Sequence, residues 1–353
     1  MPVYIATDEA GYGPKLGPLV VAASAWIVEP GRDPDAKTSP EVEPACKDPV
    51  QNLFETALAS RKLDDGSPIV MGDSKKLFRR AGDNPLALLE GPIIAWLNEL
   101  WPHGVPGTLG GLIEKLAQAD CLALAAKPWF AHLDSPVPLA GFASGGTNLA
   151  HSPEIDAKTR SIGKRLEPGG RVRLAGLLVR IIDAKEFNRL SSDCGNKATL
   201  LSEATVCLVR DLLTSLAKSL PPDDTPTYVF SDRHGGRQRY AGLLQQFFPN
   251  GFSSVIAEHK HCSRYQIQDQ DRTIDWRFSV KGDSFGPVAF SSMVAKYLRE
   301  RMMQHFNAYW ITNHGKNLKP TAGYPVDANR FCEQIAATAR RLGIESEQFI
   351  RQR

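Results

Sequence analysis

The chain opens with two apolar segments that a stretch rich in Gly and Pro separates. Val, Ile and Ala dominate residues 2–10 and 18–28, and Gly and Pro interrupt the pattern between them. Because such breaks end strands, the pattern predicts two β-strands with a short connection. Apolar runs at 171–183 and 227–232 predict two more strands.

Helical spacing of apolar residues follows several of these segments. It predicts helices at 86–101, 197–219 and 290–309, and the internal Gly-Pro of the first predicts a break or a kink there. The last of them has one apolar face, formed by Phe290, Met293, Val294 and Tyr297. Strands that alternate with helices indicate an α/β fold.

Two stretches fit this alternation poorly and are predicted to be insertions, at about 29–70 and 102–170. The first is rich in Pro, Asp and Lys, with a short helix near 50–60. The second holds a possible helix at 112–127 and then a tract rich in Pro and Gly.

Composition restricts the class of protein. With 353 residues, of which 42% are hydrophobic, the chain can bury the core of one large domain. It has no apolar run near the ~18 residues of a membrane span and no signal-like N-terminus, so we expect a cytoplasmic protein without a membrane partner. The six cysteines form no CxxC pair, and "HKHC" at 259–262 lacks a second pair of zinc ligands.

The charge distribution is compatible with a polyanionic partner but does not require one. The net charge is only +3, but residues 281–353 carry 11 Lys/Arg against 6 Asp/Glu. Such a segment suits a surface that faces phosphates, and equally an ordinary solvated surface.

Acidic residues lie where predicted strands end. Asp8 and Glu9 end the first strand, Asp232 ends the strand at 227–232, and Asp283 lies just before the long helix. Carboxylate oxygens are the ligands that Mg²⁺ and Mn²⁺ prefer, and two such ions about 3.5–4 Å apart can act together on a phosphodiester. The sequence contains no P-loop, GxSxG or HExxH motif that would favour other chemistry.

Six segments in a fixed order resemble the type 2 ribonucleases H, ribonuclease HII and HIII. They are "TDEAGYGPKLGPLVVAA", "GDSKKL", "YVFSD", "VKGDS", "SSMVAKYLRERM" and "TAGYP". The resemblance implies a ribonuclease H-like fold, in which helices flank a mixed five-stranded sheet. It is closer to ribonuclease HII, because the first motif starts at residue 8 and leaves no room for an extra N-terminal domain.

The resemblance also implies a reaction. Asp8, Glu9, Asp232 and Asp283 would hold two Mg²⁺ or Mn²⁺ ions and hydrolyse the RNA strand of RNA–DNA hybrids, leaving a 3′-hydroxyl and a 5′-phosphate. Ribonucleotides embedded in DNA are a further expected substrate. The expected organisation is a single catalytic domain over 1–353 that ends in a helical segment at about 326–353; the oligomeric state is left open, with a monomer as the default.

Other residues take roles from the same resemblance. Glu300 would be an accessory acid, or else form an i,i+4 pair with Lys296. A Gly-x-Gly loop would approach the ribose 2′-hydroxyl, Tyr324 would stack on the following sugar, and two lysines of "DSKKL" would lie near phosphates. The residues expected to bind substrate are therefore Gly11, Tyr12, Gly13, Lys75, Lys76 and Tyr324.

The chain departs from the family pattern at positions that affect specificity. Tyr12 stands where ribonuclease HII has Arg, so a bidentate phosphate donor is missing. Arg233 and His234 follow the third acid in place of Asp-Gly. Arg233 and Arg237 fit two interpretations equally well: a replacement for the missing phosphate contacts, or an ordinary solvated loop. Two other hypotheses remain: a nuclease of the same fold for another structured nucleic acid, and a non-catalytic nucleic-acid-binding protein.

Overall fold

The computed structural model describes most of the chain. The described residues are 1–29, 49–63, 66–78, 85–137, 166–167, 170–217, 226–269 and 272–352. Every statement below concerns these residues.

A mixed β-sheet of seven strands forms the centre of the described structure, in the order β3-β2-β1-β4-β7-β6-β5. β1, β4 and β7 are parallel neighbours, and the other pairs are antiparallel. The strands are β1 (Val3–Ala10), β2 (Leu19–Val28), β3 (Val172–Ile182), β4 (Thr227–Asp232), β5 (Phe252–Glu258), β6 (Cys262–Asp269) and β7 (Arg272–Ser279).

The prediction of a mixed sheet is confirmed, but the predicted number of five strands is wrong. The two additional strands, β5 and β6, form an antiparallel pair that extends the sheet beyond β7. β6 has the alternation of a strand, because Ser263, Tyr265 and Ile267 are buried between more exposed residues. Only two of these three residues are apolar, so the segment gives a weak hydrophobic signal.

Ten α-helices connect or flank the strands in the described part of the chain. They are α1 (Pro49–Ala59), α2 (Ser74–Leu77), α3 (Ala87–Leu100), α4 (Leu109–Leu116), α5 (Cys121–Ala125), α6 (Ala184–Asp193), α7 (Lys197–Leu216), α8 (Ala241–Phe247), α9 (Gly286–His314) and α10 (Pro325–Arg341). Short 3₁₀ helices occur at Gln118–Asp120, Gly282–Ser284 and Ser346–Gln348.

The predicted helices differ from the observed ones in extent. α9 is longer than the predicted 290–309, because Pro287 occupies its first turn and Gly315 ends it. α3 runs through Pro92 without a break. The single helix predicted at 112–127 is wrong: the chain forms α4, a 3₁₀ turn and α5, since Ala117 leaves the helical conformation.

Apolar clusters cover both faces of the sheet. On one face, Trp26 of β2 packs edge-to-face against Trp96 of α3 and Phe290 of α9. On the other face, Leu201 and Val209 of α7 join a separate buried cluster. All ten residues of β2 are therefore buried, which explains the uninterrupted apolar run in its sequence.

The predicted insertions are described only in part. Residues 30–48, 64–65, 138–165 and 168–169 lie outside the described residues. Described portions of both insertions, with Phe54 of α1 and Leu109 of α4, join the cluster on the α9 side. The C-terminal segment contains α10 and then a bridge between Ile350 and Leu16. The division into one catalytic domain with insertions stays a prediction.

No described helix has the length and apolar character to cross a bilayer.

Candidate active site

Three parallel strands bring the predicted acids to one edge of the sheet. Asp8 and Glu9 lie at the end of β1, and Asp232 ends β4 beside it, since Thr7 pairs with Ser231. Asp232 itself pairs with Ser279 of β7, and Asp283 follows in the 3₁₀ turn Gly282–Ser284. The carboxyl ends of parallel strands are a common place for sites in α/β sheets.

A chain of hydroxyl groups fixes the register of these strands just before the acids. The hydroxyl of Thr7 donates to Ser231 Oγ at 2.7 Å, and the indole N–H of Trp276 donates to the same oxygen at 3.0 Å. All three groups are buried. Buried hydrogen bonds of this kind are costly to break, so they hold the strand ends that carry Asp8 and Asp232 together.

A tight turn connects Asp232 with Asp283. The backbone N–H of Gly282 donates to Asp232 Oδ1 at 2.8 Å. A Cβ at Gly282 would lie 3.0 Å from the Cα of Asp232, so glycine allows this close approach. Lys281 before it has φ +59°, the left-handed region that non-glycine residues rarely adopt. The turn therefore packs tightly against Asp232 and holds one of its carboxylate oxygens.

Burial, and then the negative charge of neighbouring acids, disfavours the ionised forms of Asp8, Glu9 and Asp232. Burial, followed by the charge of Asp232, raises the pKa of Asp8 to about 7. Burial, then Asp8 and Asp232, raises the pKa of Glu9 well above its usual value. The pKa of Asp232 is also raised, mainly by burial. A cation at this edge would favour ionisation of all three groups.

Two serines and a lysine surround the acids. Ser292 of α9 hydrogen-bonds to the Asp8 carboxylate and lies 3.0 Å, oxygen to oxygen, from Ser74 of α2. Lys75, one of the two predicted lysines, is close enough to partly offset the raised pKa values of Glu9 and Asp232, which burial dominates. Lys76 is exposed and lies 3.9 Å from Asp73. Lys75 is thus placed near the acids, whereas Lys76 pairs with Asp73.

The donor set fits a hard divalent cation by its chemistry. It consists of carboxylate oxygens, the ligands that Mg²⁺ and Mn²⁺ take in proteins. In the described part of the chain, however, no three His, Cys, Asp or Glu side chains are close enough together to form a ready-made metal centre. The same finding covers the "HKHC" segment, where Cys262 lies 3.6 Å from the Ser279 hydroxyl.

Glu300 forms ion pairs with two basic residues of its own helix. It accepts from Lys296 at 2.6 Å and from Arg299 at 3.3 Å. Ser292, Lys296 and Glu300 follow one face of α9, so Glu300 lies two turns, about 12 Å, along the helix from the serine that touches Asp8. The structure therefore contains the i,i+4 ion pair, and the accessory role stays a prediction.

The two glycines of the Gly-x-Gly loop differ in what they require. Gly11 has φ +90°, and a Cβ there would lie 2.5 Å from the carbonyl oxygen of Pro18. Gly13 is exposed, and a Cβ there would meet nothing within 4 Å. Gly11 is therefore needed for the fold of the loop, whereas Gly13 leaves open space around the backbone.

Tyr12 lies between the acids and the loop after β4. Burial, then the charge of Glu9, raises its pKa. Its hydroxyl would lie 3.1 Å from a Cβ at Gly235, and the Lys197 ammonium is 4.8 Å from the centre of its ring. The ring therefore contacts protein groups that no sequence motif indicated.

Tyr324 is nearly half exposed, at 47%, and is thus not a core tyrosine. It precedes α10 in a loop that is fastened to the Gly-x-Gly connection: the backbone N–H of Lys15 donates to the Gly323 carbonyl at 2.7 Å. The electrostatic coupling between Tyr324 and Arg299 indicates that the two side chains are near each other. Its predicted contact with a sugar is compatible with this exposure.

Two arginines have structural roles that the sequence did not indicate. Arg233 donates to the carbonyls of Lys260 and His259 and to Ser263, so it supports the adjacent loop rather than facing outward. Buried Arg351 donates to the carbonyls of Gly11 and Gly17 and braces the Gly-x-Gly connection. The segment containing Arg351 gave no signal beyond its charge.

The fold and the site together define a mixed α/β protein whose acids gather at the ends of parallel strands. No protein-family model matches the sequence, and no curated protein matches it either. A search of solved structures does find similar chains. Their similarity to this chain is as follows.

The ribonuclease H2 from Pyrococcus horikoshii OT3 is similar over 98% of this chain and 92% of its own, with 14% identity and a TM-score of 0.42. The ribonuclease HII of the PCNA:RNase HII complex from Archaeoglobus fulgidus is similar over 99% of this chain and 94% of its own, with 14% identity and a TM-score of 0.36. Bst-RNase HIII in complex with Mn²⁺ is similar over 99% of this chain and 66% of its own, with 13% identity and a TM-score of 0.38.

These structures are type 2 ribonucleases H, the family that the sequence motifs resemble, and they include both the HII and the HIII branch. The preference for HII over HIII stays a prediction. At 13–14% identity, the function has to be argued from the residues of this chain.

Proposed function

We propose that this chain is a metal-dependent endonuclease of the type 2 ribonuclease H kind, hydrolysing the RNA strand of RNA–DNA hybrids and leaving 3′-hydroxyl and 5′-phosphate ends. One observation carries the proposal: the neighbouring parallel strands β1 and β4 end in Asp8, Glu9 and Asp232. These acids are close enough for the charge of Asp232 to add to burial in raising the pKa values of Asp8 and Glu9. Asp283 lies in the turn that contacts Asp232.

These four carboxylates are the proposed ligands of Mg²⁺ or Mn²⁺. When bound, such ions supply an activated water and stabilise the charge that develops on the phosphate. Acids that repel one another, and that burial makes harder to ionise, bind phosphates poorly when no cation is present. A function that needs cations explains why four acids share this edge better than a purely structural role does.

Residues around the acids have distinct proposed tasks. Ser292 holds one carboxylate oxygen of Asp8, and the Gly282 N–H holds one of Asp232, so both side chains are oriented before substrate arrives. Lys75 provides a positive charge beside Glu9, suited to a phosphate oxygen. The open backbone at Gly13 lets a ribose approach closely, and exposed Tyr324 offers a surface for a sugar.

A cleavage panel tests the reaction. Purified protein with Mg²⁺ or Mn²⁺ is given end-labelled RNA–DNA hybrid, double-stranded RNA, single-stranded DNA and branched DNA, with EDTA as control. We expect cuts only in the RNA strand of the hybrid, and none with EDTA. The absence of hybrid cleavage, or cleavage that persists in EDTA, would contradict the proposal.

Tyr12 favours a second candidate, a nuclease of the same fold for another structured nucleic acid. Its ring occupies the position of the arginine that the family uses, and Lys197 lies over it. Preferential cleavage of a non-hybrid substrate in the panel would support this candidate. A duplex with one embedded ribonucleotide, run in parallel, tests whether single ribonucleotides are accepted.

A non-catalytic nucleic-acid-binding role is the third candidate. It gives no reason for Asp8, Glu9 and Asp232 to lie together at the strand ends, because a binder gains from fewer acids near phosphates. Binding of hybrid without any cleavage would support it.

A further inference from the structure

Lys197 is held over an aromatic ring beside the acids. It is the first residue of α7, and its Nζ lies 4.8 Å from the centre of the Tyr12 ring. The two residues are 185 positions apart in the sequence, and no motif contains both of them. The contact therefore joins the Gly-x-Gly connection to the first turn of α7.

No carboxylate in the described part of the chain forms an ion pair with this ammonium. Within the described residues, no Asp or Glu oxygen lies within the 4.0 Å of an ion pair with Lys197, whereas Lys296 and Arg299 are both paired with Glu300. A cation–π contact attracts the ammonium without cancelling its charge. Lys197 is thus a positioned positive charge that remains available to an anion.

The hydroxyl end of Tyr12 also lies close to another part of the protein. Gly235 has φ +57°, and a Cβ there would lie 3.1 Å from the Tyr12 hydroxyl. Glycine at this position lets the tyrosine reach over the loop that follows Asp232. Gly235, in the loop after the third acid, therefore accommodates the tyrosine that stands between the two glycines.

The pair lies at the acidic edge. Tyr12 follows Glu9 by three residues and is electrostatically coupled to it, while Lys75 approaches Glu9 from α2. In the same first turn of α7, Thr199 accepts from Arg237 at 3.0 Å. Positive charge from α7 thus lies next to the place where a scissile phosphate would be bound.

We infer that Tyr12 positions Lys197 to contact a backbone phosphate of the nucleic acid bound across Asp8, Glu9 and Asp232. Lys197 would supply from α7 the phosphate contact that an arginine between the two glycines would give. Tyr12 is then a positioning residue. This inference rests on the proposed function, because it takes the acidic edge to be the place where nucleic acid binds.

Salt-dependent binding tests the inference. Labelled RNA–DNA hybrid and DNA duplex are titrated with protein carrying Asp232→Asn, in Mg²⁺, at several KCl concentrations. Lys197→Gln should weaken binding to both duplexes and reduce the slope of log K against log[salt] by about 1, the value for one phosphate contact. Lys197→Arg should keep the slope.

Lys115 is the matched control. Its ammonium lies 4.9 Å from the centre of the Trp101 ring, so Lys115→Gln removes the same kind of contact on a different element. This variant should leave affinity and slope unchanged. A Lys197→Gln slope equal to that of Lys115→Gln would overturn the inference.

A double-mutant cycle tests the role of Tyr12. Tyr12→Phe keeps the ring and should bind like the parent, whereas Tyr12→Leu should lose affinity. Tyr12→Leu combined with Lys197→Gln should bind no more weakly than Lys197→Gln alone, because both changes remove one contact. Fully additive losses would overturn the positioning role.

Failure of the inference and failure of the proposed function give different results. Hybrid cleavage by the wild type, with an unchanged slope for Lys197→Gln, overturns the inference alone. A reduced slope on both duplexes, with no hybrid cleavage by the wild type, supports the phosphate contact and overturns the proposed reaction. Lack of binding to either duplex overturns both.

Discussion

At the scale of single residues, the two glycines of the Gly-x-Gly loop have different roles: one is required by the backbone conformation, and the other leaves open space. Gly11 and Gly13 look alike in the sequence, but only Gly11 has a positive φ and neighbours where a side chain would lie. Its carbonyl also accepts from buried Arg351 at 2.5 Å. The first glycine therefore serves the fold, and the second is free to serve an approaching ligand.

Alanine at each glycine tests this difference. Gly11→Ala should lower the free energy of unfolding by about 2–4 kcal/mol, because the Cβ collides with Pro18 and the left-handed backbone is strained. Gly13→Ala should change it by less than about 0.5 kcal/mol. Urea denaturation measures both, and equal effects at the two positions would contradict the assignment.

The sequence predicted the positions of the four acids better than it predicted their surroundings, while their role as metal ligands stays a prediction. Asp8, Glu9, Asp232 and Asp283 follow strand patterns and short motifs, so local sequence was enough to select them, and the structure brings them to one edge. The contacts of Ser292 with Asp8 and of Lys197 with Tyr12 join distant segments and leave no local pattern. Glu300 illustrates the limit, since its i,i+4 pair and the accessory role fit the same sequence equally well.

At the scale of elements, a buried polar network attaches α3 to α9. Arg301 is fully buried and lies 3.6 Å from Glu90 of α3, while the Tyr297 hydroxyl donates to Glu90 at 2.7 Å. Arg301 also donates to the Tyr297 hydroxyl and to the Pro136 carbonyl. The network therefore fixes how the long helix packs against α3 and against the segment around Pro136.

Removing the charge of Glu90 should be strongly destabilising. Glu90→Gln leaves the buried Arg301 without its ionic partner and should cost about 3–5 kcal/mol of unfolding free energy. Glu114→Gln, on the exposed side of α4, is the control and should be near neutral. Chemical denaturation of both variants gives the comparison; a cost below about 1 kcal/mol for Glu90→Gln would show that the network contributes little.

Strand and helix predictions succeeded where apolar patterning was strong. β1, β2, β3 and β4 carry continuous or near-continuous apolar runs, because helices cover both faces of the sheet there. β5 lies at the sheet edge with Phe252, Val255 and Ile256 exposed, so its apolar residues do not mark a buried face. The apolar pattern therefore did not reveal β5, and the count of five strands, which came from the family resemblance, is smaller than the seven observed.

At the scale of the whole molecule, the acidic edge acts against folding when no cation is present. Raised pKa values of Asp8, Glu9 and Asp232 mean that the folded state favours their protonated forms. Their contribution to stability is complete below the unfolded value near 4 and is lost as the pH rises through about 7. Buried His234, whose pKa burial lowers to about 3, has the opposite dependence.

A variant isolates the acidic contribution from that of His234. Asp8→Asn keeps an oxygen that can accept from the Glu9 N–H but cannot ionise. Its melting temperature in EDTA should match the wild type near pH 4 and exceed it by on the order of 5 °C at pH 7.5. Mg²⁺ or Mn²⁺ should reduce the difference by stabilising the wild type. A difference that does not depend on pH would contradict the raised pKa of Asp8, which burial and then the charge of Asp232 produce.

The central claim is that the acids at the ends of β1, β4 and β7 form a catalytic metal site, and one measurement tests it most directly. The rate of RNA-strand cleavage in a labelled hybrid is measured against Mg²⁺ or Mn²⁺ concentration for wild type, Asp232→Asn and Asp211→Asn. Asp211 is exposed on α7 and serves as the charge-matched control. We predict saturable, metal-dependent cleavage by wild type and Asp211→Asn and a loss of at least about a thousandfold for folded Asp232→Asn; equal rates for all three proteins would contradict the claim.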